Sequence, residues 1–334
     1  MIKFGIIGMG IRGNLFARLL AQNPDAELVA FSEPDPTKLE TASKTHRAKA
    51  YKDYCEMLER ETLDAVIITT PDFAHKDPVI KSLEKGLHVL VEKPLAQKVE
   101  EAEEMLEKAL SAGTKCMVAF ENRWNPSVLK AKEEIDGGKI GHILALNGSL
   151  SDTLFVPLNM ISWSARTTCG WFLLSHLLDL AYFLLGKRAT SVYASGTKRF
   201  LKKLGVDTYD YIHVIVKYED GSSGLFESAW CLPKAFPNIY DFRFSVYGEK
   251  GLLRIDLSYQ MVETVTEEKY LWPQSLSVEC NAKLICYPGF MLEKFIETIK
   301  YDEVPQPSFE DGLQNTRLLD AIHRSLVSSK EEKL

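Results

Sequence analysis

The residues with the clearest chemical purpose form a glycine run near the start of the chain, Gly8-Met9-Gly10-Ile11-Arg12-Gly13. It follows the apolar β-type stretch Lys3–Ile7 directly and leads into Leu15–Ala21, whose apolar residues have helical spacing. In a G-x-G-x-x-G run of this kind the first glycine permits a tight turn. The second lets the backbone approach a pyrophosphate, and the third lets helix and strand pack closely. The helix that opens here, with Ile11 and Arg12 in its first turn, presents free N–H groups and the positive end of its dipole to a phosphate. Glu33 stands twenty residues beyond Gly13, at the end of the next apolar run. Its carboxylate can accept hydrogen bonds from both hydroxyls of an adenosine ribose and would repel a 2′-phosphate, which favours NAD over NADP. Arg12 and Ser32 soften that preference, and Asp35 is a competing acidic position.

A second group of residues resembles a known family. Val66-Ile67-Ile68-Thr69-Thr70-Pro71, then His75, then Lys85-Gly86-Leu87-His88-Val89-Leu90-Val91-Glu92-Lys93-Pro94 is similar to the Gfo/Idh/MocA oxidoreductases, which include glucose–fructose oxidoreductase and inositol dehydrogenase. The Glu-Lys-Pro element at a strand end is its most specific part. The resemblance runs through nearly the whole chain, as far as Tyr247-Gly248-Glu249-Lys250-Gly251. It implies a Rossmann domain followed by an α/β domain whose open sheet serves as an interface in a homodimer or homotetramer. It implies too that nicotinamide and substrate meet in a cleft between the domains. Thr70, Pro71, His75, Glu92 and Lys93 fall beside the cofactor, although His75 has an equal claim to serve only its own helix. The family's lysine maps to Lys93 and its active-site histidine to His176, within Ser175-His176-Leu177-Leu178-Asp179.

Elementary chemistry agrees with that assignment. Oxidising a secondary alcohol requires loss of the hydroxyl proton as hydride leaves carbon. An imidazole with a pKa near 6.5 can accept the proton at neutral pH, and a neighbouring ammonium stabilises the developing alkoxide. His176 is therefore the expected general base and Lys93 its electrostatic partner. The chain departs from the family at Phe172, where many relatives carry an Asp one helical turn before the histidine, and at Leu174, where they often have Gly. Phe172 suggests a more apolar pocket, suited to a glycoside or another substituted sugar. Asp179, at i+3 from His176, matches the family's His-x-x-Asp pattern and either orients the imidazole or serves as a structural cap partner. Asn122, Arg123 and Asn125 follow the last Rossmann strand, where their side chains suit either sugar hydroxyls or interdomain hydrogen bonds. Trp163 and Arg166 precede the His176 helix as a stacking and polar pair for a pyranose, or as ordinary loop packing.

The elements that position these groups change character along the chain. Over residues 1–120 short apolar strands alternate with helical patterns: strands at Lys3–Ile7, Glu27–Phe31, Ala65–Thr69, Val89–Glu92 and Lys115–Ala119, helices at Lys38–Thr45, Tyr54–Glu61, Lys76–Lys85 and Lys98–Ala112. Strands apolar on both faces and alternating with helices predict a doubly wound parallel sheet, a Rossmann domain. Residues 121–334 then show a helix at Pro126–Asp136 and longer strands rich in aromatic and β-branched residues, from His142–Leu150 to Leu252–Asp256. Glu219-Asp220-Gly221 is a hairpin signal, since Asp-Gly supplies positive φ. This half is expected to be an α/β substrate and oligomerisation domain built on a large open, mostly antiparallel sheet. Helices are expected at Trp171–Leu185 and at about 309–327, the last packing back on the first domain.

Composition narrows the class. The 334 residues exceed the size at which single cores stop growing, so two domains are favoured. A net charge of −6, with Lys and Arg interspersed among Asp and Glu, argues against nucleic acid or an anionic membrane as partner. The apolar stretch Trp171–Leu185 is too short to span a bilayer. Six scattered cysteines without a C-x-x-C pair suggest reduced thiols, a cytoplasmic location and no metal site. The expected activity is NAD-dependent oxidation of a secondary hydroxyl on a sugar, polyol or glycoside. A redox-assisted glycoside hydrolase that regenerates its NAD, and a non-catalytic NAD-binding regulator, are the competing readings.

Overall fold

The computed structural model describes residues 1–274 and 277–334. The chain divides into two compact units, one made of residues 1–121 with 279–316, the other of residues 122–278 with 317–334.

In the first unit β1 (Ile2–Ile7), α1 (Ile11–Ala21), β2 (Ala26–Ser32), α2 (Pro36–Thr45), β3 (Lys49–Tyr51), α3 (Tyr54–Arg60), β4 (Ala65–Ile68), α4 (Lys76–Glu84), β5 (His88–Val91), α5 (Val99–Ala112) and β6 (Cys116–Val118) follow one another. The strands form a six-stranded sheet in the order β3-β2-β1-β4-β5-β6, and every pairing is parallel. The expected doubly wound sheet is therefore present. Its order reverses between β1 and β4, and ligands of such sheets bind at the carboxyl ends of the strands beside that reversal. Phe4, Ile6, Val66 and Ile68 are fully buried, which explains why these strands read as unbroken apolar runs. Gly86 (φ 72°) and Gly113 (φ 65°) adopt the left-handed conformation just beyond α4 and α5, the C-terminal stops that the sequence suggests.

The second unit opens with α6 (Pro126–Asp136), β7 (Ile143–Thr153), α7 (Ser175–Leu185), β8 (Ala189–Thr197), α8 (Phe200–Lys203), β9 (Tyr211–Tyr218), β10 (Ser223–Leu232), β11 (Tyr240–Gly248) and β12 (Leu252–Asp256). Four short strands follow: β13 (Thr264–Val265), β14 (Tyr270–Leu271), β15 (Ser277–Cys280) and β16 (Lys283–Cys286). The chain then continues through α9 (Tyr287–Lys300), which belongs to the first unit, and through α10 (Phe309–Ser328) and β17 (Glu332–Lys333). The large sheet has the order β12-β11-β7-β10-β9-β8-β17. It is antiparallel except where β10 runs parallel to β7. One face packs on Leu177, Leu178, Ala181 and Leu184 of α7, with Phe226, Phe244 and Trp230 in the same core. The other carries alternating residues such as Tyr193, Ile215 and Leu225, which are exposed. Gly221 (φ 85°) turns the hairpin between β9 and β10 as expected.

Two features differ from the sequence expectation. Residues 279–316 belong to the first unit, not to the second. The cause is α9, a helix that the sequence reading passes over: Phe295 is fully buried with its ring 6.3 Å from that of Phe4, and Gly289 faces Leu19 of α1. Burying such a side chain is worth about 1.5–3 kcal/mol, ample reason for a late segment to return to an early sheet. The helix expected at Trp171–Leu185 also begins differently, because Gly170–Leu174 forms a π-helical turn before α7 starts at Ser175. Among the described residues no helix is long and apolar enough to cross a membrane.

Candidate functional site

The glycine loop of the first unit has the stereochemistry that a dinucleotide needs. Gly8 has φ 97°, a conformation that L side chains rarely adopt, and its N–H donates to Ser32 O at 2.8 Å. A Cβ at Gly13 would lie 2.0 Å from Gly8 O, so only glycine lets α1 start this close to β1. At Gly10 a Cβ would meet nothing within 4 Å, and no side chain caps the helix there. The loop thus keeps backbone N–H groups beside open space at a helix N-terminus, as a pyrophosphate requires. Thr69 Oγ1 donates to Gly8 O at 2.6 Å and braces the turn from β4.

Glu33 follows β2 and is largely buried, accepting Met9 N–H at 2.7 Å through Oε2 and Asp35 N–H at 3.1 Å through Oε1. Each oxygen retains a lone pair for a ribose hydroxyl. Asp35, the competing acid, is the N-cap of α2 and accepts from Thr37 N and Lys38 N. Its Oδ1 takes both capping hydrogen bonds, which orients the exposed side chain toward the helix. The residues present therefore fit a dinucleotide: a glycine cradle that a Cβ would fill, a helix N-terminus, and an acid at the ribose position.

Arg12 is placed otherwise than the sequence suggests. Its Nε donates to Glu92 Oε1 at 2.5 Å, and its Nη2 lies 3.5 Å from Glu121 Oε1. Both carboxylates are buried, and Glu121 Oε2 has no hydrogen-bond partner among the described residues. Burial works against the Arg12 charge, but Glu121 and Glu92 outweigh it and its pKa is raised. The Arg12 and Glu92 side chains, expected beside the cofactor, thus engage each other. For Glu121, burial is the dominant influence and holds its carboxyl above the usual range, with Arg12 opposing. Lys93, next to Glu92, is partly buried; desolvation pushes its ammonium below the ordinary lysine range, while Glu92, Glu121 and Asp72 pull it back. His75 is buried, with Nδ1 2.9 Å from Pro94 O and Nε2 3.0 Å from Thr70 O. Its ring ties the Thr70-Pro71 loop after β4 to the Lys93-Pro94 loop after β5, so its contacts are to backbone carbonyls.

In the second unit His176 lies in the first turn of α7, half-buried, with its Nδ1 2.9 Å from Asn122 Nδ2. As placed, the Asn122 amide donates to Nδ1 and the ring proton belongs on Nε2. A half-turn of that amide instead lets Oδ1 accept from Nδ1–H and frees Nε2 as a base. Arg123 is committed to Asp179, with Nε 3.0 Å from Oδ2 and Nη2 2.6 Å from Oδ1, both groups buried. The guanidinium also covers the ring of Phe183 at 5.3 Å. The structure joins two residues that the sequence reading assigned separately, one to substrate and one to the imidazole. Asn125 caps α6 by accepting from Ser127 N at 3.0 Å. Trp163 meets Phe172 edge-on at 6.1 Å, and Phe172 lies 5.7 Å from Trp230, so Phe172 is the middle of an aromatic row. Arg166 is exposed in a short 3-10 turn.

Three contributors escape the sequence reading. Glu121 is visible there only as a charge at the end of an apolar strand. Phe183 has no signal beyond helical periodicity. His323 of α10 stacks on Trp171 at 4.7 Å, donates from Nδ1 to Leu319 O and accepts at Nε2 from Thr168 Oγ1 at 2.8 Å. It steadies the π turn that leads into His176, and burial lowers its pKa to about 4.

Comparison with known proteins places these features in a family. Residues 2–120 match the Gfo/Idh/MocA model described as an oxidoreductase family with an NAD-binding Rossmann fold. Residues 132–333 match the model for that family's C-terminal alpha/beta domain. The myo-inositol 2-dehydrogenase of Thermotoga maritima is 28% identical, covering 100% of this chain and 98% of its own. The NAD(+) scyllo-inositol 2-dehydrogenase of Bacillus subtilis is 31% identical, covering 76% of this chain and 73% of its own. In fold, the structure matches scyllo-inositol dehydrogenase from Lactobacillus casei with bound NAD(H) and scyllo-inositol, at a TM-score of 0.84 and 23% identity over 100% and 99% of the two chains.

Proposed function

This chain belongs to the Gfo/Idh/MocA oxidoreductase family, and from that premise we propose that it oxidises a secondary hydroxyl of a polyol, sugar or glycoside by hydride transfer to NAD. The observation that carries the reading is Lys93, held among Arg12, Glu92 and Glu121 at the carboxyl edge of an NAD-binding Rossmann sheet. NAD, when bound, supplies the hydride acceptor. Gly8, Gly10 and Gly13 would hold its pyrophosphate and Glu33 its adenosine ribose. Arg12 hydrogen-bonds Glu92 through Nε, while its buried Nη2, 3.5 Å from Glu121 Oε1, makes no hydrogen bond among the described residues; Glu33 sets the preference against a 2′-phosphate.

His176 takes the hydroxyl proton at Nε2, with Asn122 turned so that Oδ1 accepts from Nδ1–H and fixes the reactive tautomer. The Lys93 ammonium has the charge to stabilise a developing alkoxide, an interaction stronger in the transition state than in the bound alcohol. Its depressed pKa suits this role, because a less hydrated ammonium interacts more strongly with a nearby anion. Arg123 and Asp179 secure the base of the His176 helix. Trp163 and Phe172, the partly exposed members of the aromatic row backed by the buried Trp230, support a substrate with an apolar face or substituent. The relatives named as inositol dehydrogenases make cyclic polyols the first class to try. A dimer or tetramer through the open sheet is supported by the exposed apolar cross-strand row Tyr193–Ile215–Leu225.

The test is incubation with NAD⁺ or NADP⁺ against inositols, sugars, sugar acids and aryl glycosides, following NADH absorbance and product mass together. Net NADH formation, lowered roughly 10²–10⁴-fold in His176→Ala and in Lys93→Ala, is the expected result. Glycoside cleavage without NADH accumulation would replace the dehydrogenase by a redox hydrolase. Tight NAD binding with silence across the panel would leave a regulator.

A further inference from the structure

We propose that Arg12 is a positioning residue for Lys93, acting through Glu92 and Glu121, and not a ligand of the cofactor's phosphates. The inference rests on the catalytic role given to Lys93 above. Within a glycine loop, an arginine in the first turn of α1 would ordinarily be read as a phosphate contact. Here the side chain turns toward the ends of β5 and β6, where its Nε meets Glu92 Oε1 at 2.5 Å and its Nη2 stands 3.5 Å from Glu121 Oε1. Glu92 in turn folds back on its neighbour, its Oε2 accepting the backbone N–H of Lys93 at 3.3 Å. One guanidinium therefore ties together the first turn of α1, the Glu92-Lys93 peptide and the end of β6.

The charges show why the tie matters. Lys93 faces Glu92 from its own loop, Glu121 from the end of β6, Asp72 from the loop after β4, and Arg12 from α1, while Tyr287 of α9 faces Arg12. Glu121 is buried, and its Oε2 lacks a hydrogen-bond partner among the described residues, so the nearby guanidinium is what makes its charge tolerable there. Without Arg12, the three buried carboxylates of Glu92, Glu121 and Asp72 would face the ammonium without an opposing cation. They would hold it more firmly charged and draw it away from the oxygen it has to reach. Arg12 thus limits how much of the local negative charge Lys93 experiences.

The measurement is competitive trace acetylation of Lys93 across pH in the folded, cofactor-free protein, read by peptide mass spectrometry, alongside calorimetric NAD⁺ binding. Arg12→Leu should raise the midpoint of Lys93 labelling by about one to two pH units, as expected for loss of a unit charge roughly 6–12 Å away at an effective dielectric near 20. Glu121→Gln should move it the opposite way, and Arg12→Lys should stay close to the parent. Affinity for NAD⁺ should remain within about twofold in Arg12→Leu. General loosening of the fold would move both midpoints in the same direction, so opposite shifts are the signature. Midpoints that do not move, or that move together, would overturn the proposal, as would a large loss of NAD⁺ affinity in Arg12→Leu with an unmoved midpoint. If the midpoints separate as expected while Lys93→Ala still turns over, the positioning role stands and the catalytic assignment of Lys93 falls.

Discussion

Lys93 and His176 are prepared for chemistry in opposite ways. Around Lys93 the first unit buries charge, with the Arg12 guanidinium from the first turn of α1 and the carboxylates of Glu92, Glu121 and Asp72 from beyond the ends of parallel strands. Around His176 the second unit sets the buried Arg123–Asp179 ion pair, the Asn122 amide and a row of aromatic rings. In the proposed mechanism, a lysine that stabilises an alkoxide benefits from charged neighbours, whereas the imidazole is held by its amide contact and by packing. Both environments are long-range constructions: Arg12 reaches Glu92 across 80 residues and Asn122 reaches His176 across 54.

The contrast breaks first at the closed ion pair. Asp179→Asn should lower the stability of the second unit by about 3–5 kcal/mol, because it leaves the Arg123 charge buried without its counter-ion. Urea unfolding followed by tryptophan fluorescence measures this, and replacing both partners by apolar residues should recover much of the loss. A cost no larger than that of a surface substitution would mean that the pair is not the closed unit described here.

His323 sharpens the same picture through pH. Its pKa falls from 6.5 in the unfolded chain to about 4 in the fold. The unfolded state therefore binds the proton first, so stability is full above about pH 6.5 and declines as pH falls toward 4. The loss reaches about 3 kcal/mol at most. A His323→Gln variant should lose that portion of the pH dependence of thermal unfolding; an unchanged profile would remove the histidine from this role.

The smallest effect lies in the glycine loop. Gly10→Ala should leave thermal stability nearly untouched, since its Cβ meets nothing within 4 Å, yet weaken NAD binding about tenfold. Gly13→Ala should damage both, because its Cβ would lie 2.0 Å from Gly8 O. Equal NAD binding in the parent and Gly10→Ala would place the pyrophosphate elsewhere.

Local pattern and stereochemistry were legible in the sequence. Apolar runs alternating with helical spacing specified a parallel sheet because both faces of each strand had to be covered, and Gly8 marked a left-handed turn and Gly13 a close approach that leaves no room for a Cβ. Glu33 could be separated from Asp35 only by the fold, since the distinction depends on which carboxylate caps α2. The helix α9 had its signals, Pro288 at the start and Met291, Leu292, Phe295 and Ile296 at helical spacing, but its return to the first unit depended on meeting Phe4 and Leu19. The partners of Arg12 and Arg123 belong to the same class. A guanidinium chooses among phosphate, substrate and carboxylate by what lies within a few ångströms, and that is settled when distant strand ends are brought together. Residue type and spacing determined the elements and the kinds of chemistry available; tertiary structure alone decided which charged groups are paired off and which remain for a ligand, because pairing depends on distance in space.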